Sequence, residues 1–216
     1  MKLFIYGASG AGLEVYDLAE RTGKYEAIYL IDDFQEEADY YGTKRLHFSS
    51  CEEYMEETSE FIISVGEPSA RAMLRERVQA HGYRLATLID PSVVLSKTAV
   101  VEPGCIVNAH SVISSRAHLH ENCYIGFHVV VGHDACIDED TIVCPMATVG
   151  GGSHVGREAF LGLNSSMKER VNIGDRAIVG MGSMAFRDVA SDCTVVGNPA
   201  RVTKGNQEHK VFRDRK

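Results

Sequence analysis

The chain has 216 residues, 44% of them hydrophobic, and a formal net charge of −8. This length suffices to bury a core, and the charge offers no basic surface for nucleic acid. No apolar run approaches the roughly 20 residues that span a bilayer, and Met1-Lys2 leads straight into an apolar strand without the features of a secretory signal. We therefore expect a cytoplasmic protein that binds neither nucleic acid nor membrane.

The six cysteines show no CxxC spacing and are expected to be small buried free thiols.

The first 90 residues alternate between strand and helix patterns. "KLFIYG" predicts a strand, "GASGAG" a glycine turn, and "LEVYDLAERTG" a helix that ends at Gly23. "AIYLIDD", "FIISVG" and "RLATLID" predict further strands, and "PSARAMLRERVQAHG" predicts a helix between the last two. We predict an α/β, Rossmann-like domain of about four strands over residues 1–90.

The glycine turn suits a phosphate group. Gly7, Gly10 and Gly12 would place backbone amides at a helix N-terminus, and Asp32 and Asp33, about 20 residues further on, would suit a ribose or base. The same glycines serve equally well in a tight structural turn. Because the second half of a full dinucleotide fold is missing, a nucleotide carrying a small group is favoured over NAD.

A six-residue repeat dominates the chain after residue 90. Large aliphatic residues recur at Leu95, Val101, Val107, Ile113, Leu119, Ile125, Val131, Ile137, Val143, Val149, Val155, Leu161, Met167, Ile173 and Val179. A small or β-branched residue follows four positions after each, from Ala99 to Ser183, and a glycine often follows one position after, as at Gly126 and Gly132. This period predicts a parallel β-helix over residues 91–202, followed by a C-terminal tail over 203–216.

Three repeats make one triangular coil, so residues 18 apart should stack at the strand spacing of about 4.8 Å. The aliphatic residues would fill the interior, and we expect the glycines to supply backbone freedom at the corners. His128 and His133 would then lie on the outer surface, with His110 stacked under His128. A surface histidine on such a rigid frame is either solvated or a positioned catalyst.

The ordered motifs "YGASGAG", "LIDD", "SVGEPSAR", "TLIDPS", "GHDACI" and "VVGNPARV" resemble those of bacterial nucleotide-sugar acetyltransferases, a family that includes sialic-acid O-acetyltransferase-like proteins. The resemblance covers Met1 to about Val202. It implies a left-handed β-helix, a homotrimer with active sites between subunits, and acetyl-CoA as co-substrate with no metal. The most similar type acetylates the 4-amino group of a UDP-linked dideoxy sugar in the bacillosamine pathway.

The resemblance also assigns roles to residues. His133 would be the general base that takes a proton from the sugar amine, Asp134 its orienting partner, and Gly151 the oxyanion donor. Because neighbouring strand residues point to opposite faces, the His133–Asp134 pair requires a corner conformation. The implied acetyl-CoA contacts are Gly151, Leu163, Met181, Arg201 and Lys204. The implied nucleotide-sugar contacts are Ser9, Gly10, Ala11, Asp32, Asp33 and Gly66. Ala11 and Ile142 stand where many relatives have histidine.

Three other functions fit parts of the pattern. His133 would serve equally well as the general base for O-acetylation of a sugar such as sialic acid. His128 and His133 have the spacing of paired zinc ligands in carbonic anhydrases built on this β-helix, with His110 or His154 as a third ligand. A non-catalytic scaffold or sugar-nucleotide sensor would need no base. We expect the remaining histidines to be solvated, namely His47, His81, His118, His120 and His209.

Overall fold

A computed structural model describes residues 1–212 of the chain. The last four residues of the predicted tail, 213–216, lie outside the described residues. Within the described part, none of the helices combines the length and the apolar character that a membrane crossing requires. All six cysteines are free. The predicted burial holds for Cys51, Cys105 and Cys123, whereas Cys136, Cys144 and Cys193 are only half-buried.

The N-terminal domain is a six-stranded sheet flanked by two α-helices. Its elements are β1 Lys2–Tyr6, α1 Gly10–Thr22, β2 Ala27–Ile31, β3 Ala38–Tyr40, β4 Thr43–Leu46, a 3₁₀ helix Phe48–Tyr54, β5 Glu60–Ile63, α2 Pro68–Ala80 and β6 Arg84–Leu85. The strand order is β3-β4-β2-β1-β5-β6, in which only β3 runs antiparallel to its neighbour. The predicted count of about four strands is therefore too low, because the polar hairpin β3-β4 lacks an apolar run.

The apolar runs form the buried centre of this sheet. Residues Leu3, Phe4 and Ile5 of β1 are 0% exposed, as expected for a central parallel strand covered on both faces. α1 ends as predicted at Gly23, which adopts the left-handed conformation with φ 62°. The carboxyl ends of β2, β1 and β5 meet at one sheet edge, which collects the predicted nucleotide-binding residues.

The rest of the chain is a left-handed parallel β-helix, as the repeat and the family resemblance predict. Strands β7 to β23 are, in chain order, Leu88–Ile89, Val94–Leu95, Val100–Val101, Ile106–Val107, Val112–Ile113, His118–Leu119, Tyr124–Ile125, Val130–Val131, Cys136–Ile137, Ile142–Val143, Thr148–Val149, His154–Val155, Phe160–Leu161, Ser166–Met167, Asn172–Ile173, Ile178–Val179 and Met184–Ala185. The antiparallel pair β24 Cys193–Val196 and β25 Arg201–Gly205 follows.

These strands form three flat faces. Face 1 contains β7, β10, β13, β16, β19, β22, β24 and β25; face 2 contains β8, β11, β14, β17, β20 and β23; face 3 contains β9, β12, β15, β18 and β21. Strand partners lie 18 residues apart, for example Val131 and Val149. The repeated aliphatic residues from Val107 to Val179 are buried between the faces, since none of the three faces can bury them alone.

The corners do not bend where the sequence led us to expect. The residues with positive φ lie three positions after the buried aliphatic residue, such as His128, Asp134 and Asp140, with φ 55°, 58° and 61°. The glycines one position after it serve another purpose. A Cβ added to Gly126 or Gly132 would lie 2.5 Å from a backbone nitrogen of the next coil. The expected role of these glycines is therefore wrong: they permit close stacking rather than a left-handed turn.

The two domains are joined on face 1. Leu88, Ile106 and Tyr124 of the β-helix pack with the apolar core beneath α1. The predicted strand "RLATLID" is divided, because β6 pairs in the N-terminal sheet and β7 pairs in the β-helix. The chain therefore changes from one sheet to the other between Leu85 and Leu88.

Candidate active site

His133 and Asp134 form the corner between faces 2 and 3. His133 follows β14 on face 2, and Asp134 has φ 58°, which supplies the corner conformation that pairing of these neighbours requires. The His133 Nδ1 atom lies 2.7 Å from Asp134 Oδ2. The imidazole is 70% exposed, so a molecule lying along this corner can reach it.

Arg116 completes this group, and the sequence analysis missed it. It lies 18 residues before Asp134 and donates two hydrogen bonds to that carboxylate, from Nε to Oδ1 at 2.6 Å and from Nη2 to Oδ2 at 2.9 Å. Arg116, and less strongly His133, lowers the pKa of Asp134 to about 2. The available signal was the 18-residue spacing of two opposite charges.

The negative charge on Asp134 determines which nitrogen of the neutral His133 ring carries the hydrogen. An ionised carboxylate only accepts hydrogen bonds, so Nδ1 of His133 carries the hydrogen that it donates to Asp134. The other nitrogen, Nε2, then carries no hydrogen in the neutral tautomer and offers a lone pair to a hydrogen-bond donor.

Gly151 lies beside the ring, one coil further along. A Cβ added to Gly151 would lie 2.8 Å from His133 Nε2, so only glycine leaves the nitrogen accessible. Within residues 1–212, the Gly151 N–H has no hydrogen-bond acceptor, whereas the Gly152 N–H donates to the His133 carbonyl at 2.7 Å. A free donor beside a base is the arrangement that an oxyanion site requires.

The predicted acetyl-CoA residues divide between two corners. Leu163 follows β19 on face 1 and Met181 follows β22, so both lie at the corner between faces 1 and 2. Their side chains are 49% and 73% exposed. Gly151 and His133 lie across face 2 at the other corner. Arg201 and Lys204 are exposed on β25 at the end of the β-helix.

Face 2, between these corners, carries uncharged residues at the first position of each strand, whereas the charged Lys168 directly follows β20 and is 53% exposed. The first residue of each strand points outward, and these residues are Val94, Val112, Val130, Thr148, Ser166 and Met184. Val94 is 62% exposed and Val130 is 40% exposed. The first strands of face 1 pack with the N-terminal domain, whereas face 2 is open and carries exposed valines.

The predicted nucleotide-sugar residues gather at the carboxyl edge of the N-terminal sheet. Ser9 is the N-cap of α1 and is exposed together with Gly10, whereas Ala11 is half-buried. Asp32 follows β2, and Gly66 lies shortly after β5. A Cβ on Gly10 would meet nothing within 4 Å, so its neighbourhood is open to a ligand.

The geometry of the turn alone explains why glycine is present at positions 7 and 12, without any ligand. A Cβ added to Gly12 would lie 1.9 Å from the Gly7 carbonyl oxygen, and Gly7 itself has φ 120°. Both glycines are therefore required by the tight turn between β1 and α1.

Asp33 is already engaged within the domain. It accepts hydrogen bonds from Tyr6 Oη at 2.5 Å, Arg77 Nη1 at 2.5 Å and the Phe48 N–H at 2.8 Å. Burial alone would raise the pKa of Asp33, but these hydrogen bonds outweigh burial and lower it. Asp32, whose Oδ1 accepts only from the Phe34 N–H within the described residues, is the freer of the two carboxylates.

The alternative zinc pair is not brought together. His128 lies at the corner between faces 1 and 2, where its ring stacks on His110 at 5.1 Å as predicted, whereas His133 lies at the next corner. The possible three-ligand clusters within residues 1–212 contain neither residue. The expectation that His118 and His120 are solvated is also wrong, because both are half-buried and paired with Glu102.

A large groove lies elsewhere, at the edge of the N-terminal sheet. It is an open groove of about 830 Å³ whose lining includes Tyr16, Tyr25, Tyr29 and Lys44. It contains none of the predicted site residues, so its size alone does not make it the site of the chemistry.

Comparison with known proteins supports the architecture in both domains. Residues 2–78 match the family described as the PglD N-terminal domain. The acetyltransferase domain of PglB from Neisseria gonorrhoeae FA1090 superimposes with a TM-score of 0.89 at 26% identity, over 94% of this chain and 99% of that one. PerB from Caulobacter crescentus, solved with CoA and GDP-perosamine, gives a TM-score of 0.88 at 24% identity over 94% and 98% of the two chains.

Among curated proteins, the bifunctional protein GlmU of Rhizobium rhizogenes is 38% identical over 63 residues. This segment covers 29% of the chain and 14% of that protein, so the match concerns only a small part of GlmU.

The fold and the corner site define the architecture of a hexapeptide-repeat sugar acetyltransferase with an N-terminal α/β domain. Residues 2–78 match the PglD N-terminal domain family, and the predicted resemblance to nucleotide-sugar acetyltransferases is confirmed.

Proposed function

We propose that the chain is an acetyl-CoA-dependent N-acetyltransferase that acts on the amino group, at C4, of a nucleotide-linked amino-dideoxy sugar. The observation that carries the proposal is the corner at which Arg116 and Asp134 fix the His133 ring beside the free N–H of Gly151. The PglB acetyltransferase domain, also solved with acetyl coenzyme A, supports the choice of co-substrate. The product would enter surface glycan synthesis in the cytoplasm.

The chemistry follows from the two ring nitrogens. The sugar amine attacks the thioester carbonyl carbon, forming the C–N bond, and Nε2 of His133 accepts the proton that the amine releases. The Gly151 N–H donates to the oxyanion of the tetrahedral intermediate. When the C–S bond breaks, the proton passes from the imidazolium to the sulfur and free CoA leaves. Asp134 stabilises the imidazolium without being protonated itself.

We propose a homotrimer, because one chain separates the two halves of the acetyl-CoA groove. His133 and Gly151 lie at one edge of face 2, and Leu163 and Met181 lie at the other. Packing face 2 of one chain beside that of the next around a threefold axis would bring unlike edges together. Arg201 and Lys204 would contact CoA phosphates at the end of that groove.

We assign the nucleotide sugar to the carboxyl edge of the N-terminal sheet. Ser9, Gly10 and Ala11 would receive phosphate at the α1 N-terminus. Asp32 and Gly66 would contact the base or ribose, and Asp33 would act by holding the edge in place. The GDP-perosamine of PerB supports a nucleotide-linked amino sugar as the ligand class.

The experiment is release of free CoA thiol from acetyl-CoA with UDP-, dTDP- and GDP-linked 4-amino sugars. The matched controls are the corresponding 4-hydroxy nucleotide sugars, free sialic acid and no acceptor. We expect release with at least one amino sugar and a product heavier by one acetyl group. Release with sialic acid or a hydroxy sugar alone would instead identify an O-acetyltransferase, and no release with any acceptor would contradict the proposal.

A further inference from the structure

The outer surface of face 3 carries two columns of potential metal ligands. Strand pairing places the first residues of β12, β15 and β18 above one another, and the residues that directly follow β9, β12 and β15 form a second column. The first column is His118, Cys136 and His154, and the second is Glu102, His120 and Asp138. Because alternate residues share a face and stacked residues lie about 4.8 Å apart, the fold itself assembles this group.

Three donor atoms converge within the group. Nε2 of His118 lies 2.6 Å, and Nδ1 of His120 lies 3.1 Å, from the same Glu102 oxygen, Oε1. The two imidazole rings stack with their centroids 3.9 Å apart. The three side chains are 30 to 35% exposed, so a small ion can reach them while their positions remain restricted.

The remaining nitrogen of His120 has a suitable partner. Its Nε2 faces Asp138 Oδ1 at 3.9 Å. Histidines that bind metals commonly direct their second ring N–H to a carboxylate, which fixes the ring orientation. Asp138 in turn contacts His154 Nε2 at 2.8 Å, so the supporting carboxylate is itself held in place.

We propose that Glu102, His118 and His120 bind one divalent transition-metal ion of the zinc type, with water in the fourth position. Two imidazoles and one carboxylate are a donor set that zinc accepts at bond lengths of about 2.0 to 2.2 Å. Tetrahedral binding needs the donors roughly 3.4 Å apart, so the present contacts open by less than about 1 Å. The ion would join two coils of face 3 and takes no part in acetyl transfer.

A second set, His120, Cys136 and Asp138, shares one histidine with the first. Its contacts are looser, because Cys136 Sγ lies 3.7 Å and His120 Nε2 lies 3.9 Å from Asp138 Oδ1. The ion therefore belongs to the Glu102 set, and Cys136 is not a ligand.

The test is calorimetric titration of the metal-stripped full chain with zinc alone. We expect one saturable site per chain. Glu102→Gln and His118→Gln should weaken it by more than about 100-fold, and Asp138→Asn by about 10- to 100-fold. His47→Gln is the matched control, since His47 is an exposed histidine facing Glu37 in the other domain, and it should bind as the wild type does.

Cobalt binding decides between the two sets. We expect a Co²⁺ spectrum without a thiolate-to-metal charge-transfer band, and unchanged binding in Cys136→Ser. Circular dichroism of each variant checks that the fold is retained. The proposal is overturned if zinc does not saturate one site, if binding survives Glu102→Gln and His118→Gln, or if the cobalt spectrum shows a band that Cys136→Ser removes.

Discussion

At the scale of single residues, the left-handed corner conformation gives the site its geometry. It turns Asp134 back toward His133, although neighbours along a strand point to opposite faces. Asparagine tolerates this conformation well, whereas alanine there costs roughly 1 kcal/mol. Asp134→Asn is therefore the better variant for removing the charge without straining the backbone.

Gly151→Ala should act through the His133 ring. Gly151 does not have positive φ, so alanine fits the backbone, but its Cβ would meet Nε2 of His133. We expect kcat/KM for acetyl transfer to fall by about 10²-fold or more, as when a base is displaced. The double variant with His133→Ala should lose no more than His133→Ala alone, because the ring is already gone. Additive losses in kinetic measurements would show that the two residues act independently.

Arg116→Gln tests the positioning of Asp134. Because Arg116 lowers the pKa of Asp134, the ion pair is formed above that pKa of about 2 and lost as the pH falls through it. In the variant, this pKa should rise toward about 3.9, as measured by NMR of the side-chain carboxyl group. Arg116 is 67% exposed, so kcat should fall by no more than about fivefold.

Arg170→Gln is the matched control for this variant. Arg170 lies in the same corner column with φ 59°, close to the 57° of Arg116, but it has no ion pair with Asp134. Its replacement should leave both kcat and the Asp134 pKa unchanged. If both variants changed kcat and the Asp134 pKa equally, the cause would be the general surface charge and not the ion pair of Arg116 with Asp134.

At the scale of elements, helix α2 is fixed to the β-helix by a buried arginine. Arg71 is 0% exposed, and its guanidinium donates to the Ile63 carbonyl at 2.6 Å, the Asn122 carbonyl at 2.6 Å and Asn122 Oδ1 at 2.9 Å. Burial lowers the pKa of Arg71, and the nearby Asp140 opposes this effect. Since these acceptors belong to both domains, Arg71 makes their relative position specific.

Arg71→Ala should therefore be strongly destabilising. It leaves buried acceptors unsatisfied and opens a cavity, so the free energy of unfolding should fall by at least about 3 kcal/mol. Arg157→Ala is the control, because Arg157 is 56% exposed and should change stability by less than about 0.5 kcal/mol. Urea denaturation measures both values, and a loss below 1 kcal/mol for Arg71→Ala would contradict this role.

The β-helix could be predicted from sequence because its period is strict. The aliphatic residues fix which side chain points inward, and the 18-residue stacking then places His110 under His128. The same arithmetic would have paired Arg116 with Asp134. The Arg71 contacts follow no period, since residues 51 positions apart meet only when the domains pack. The glycines were misread because sequence shows that glycine is needed but not whether backbone freedom or close packing requires it.

At the scale of the whole molecule, each face of the β-helix has a different outer surface. Face 1 holds the N-terminal domain, face 2 is largely uncharged with exposed valines near its N-terminal end and Lys168 further along, and face 3 carries histidines and carboxylates. An exposed apolar face between two halves of a predicted groove favours contact with further copies of the chain. This distribution assigns the proposed trimer to face 2 and leaves face 3 to solvent and ions.

Val130→Lys should disrupt the proposed trimer. Val130 is 40% exposed at the centre of face 2, whereas Val100 is 50% exposed on face 3 and provides the matched control. We expect Val130→Lys to lower the molar mass measured by light scattering from three chains to one, and to abolish acetyl transfer because the groove is no longer complete. Val100→Lys should remain a fully active trimer. If Val100→Lys dissociated the trimer and Val130→Lys did not, the interface would lie on face 3 instead.

The most direct test of the central claim is the acetyl-transfer rate of His133→Ala with its nucleotide-linked amino sugar. We predict that kcat/KM falls by about 10²- to 10⁴-fold, the usual contribution of a general base. His154→Ala, which removes an exposed histidine of the same β-helix, should retain the wild-type rate. Turnover of His133→Ala within a few-fold of the wild type would contradict the assignment of His133 as the base.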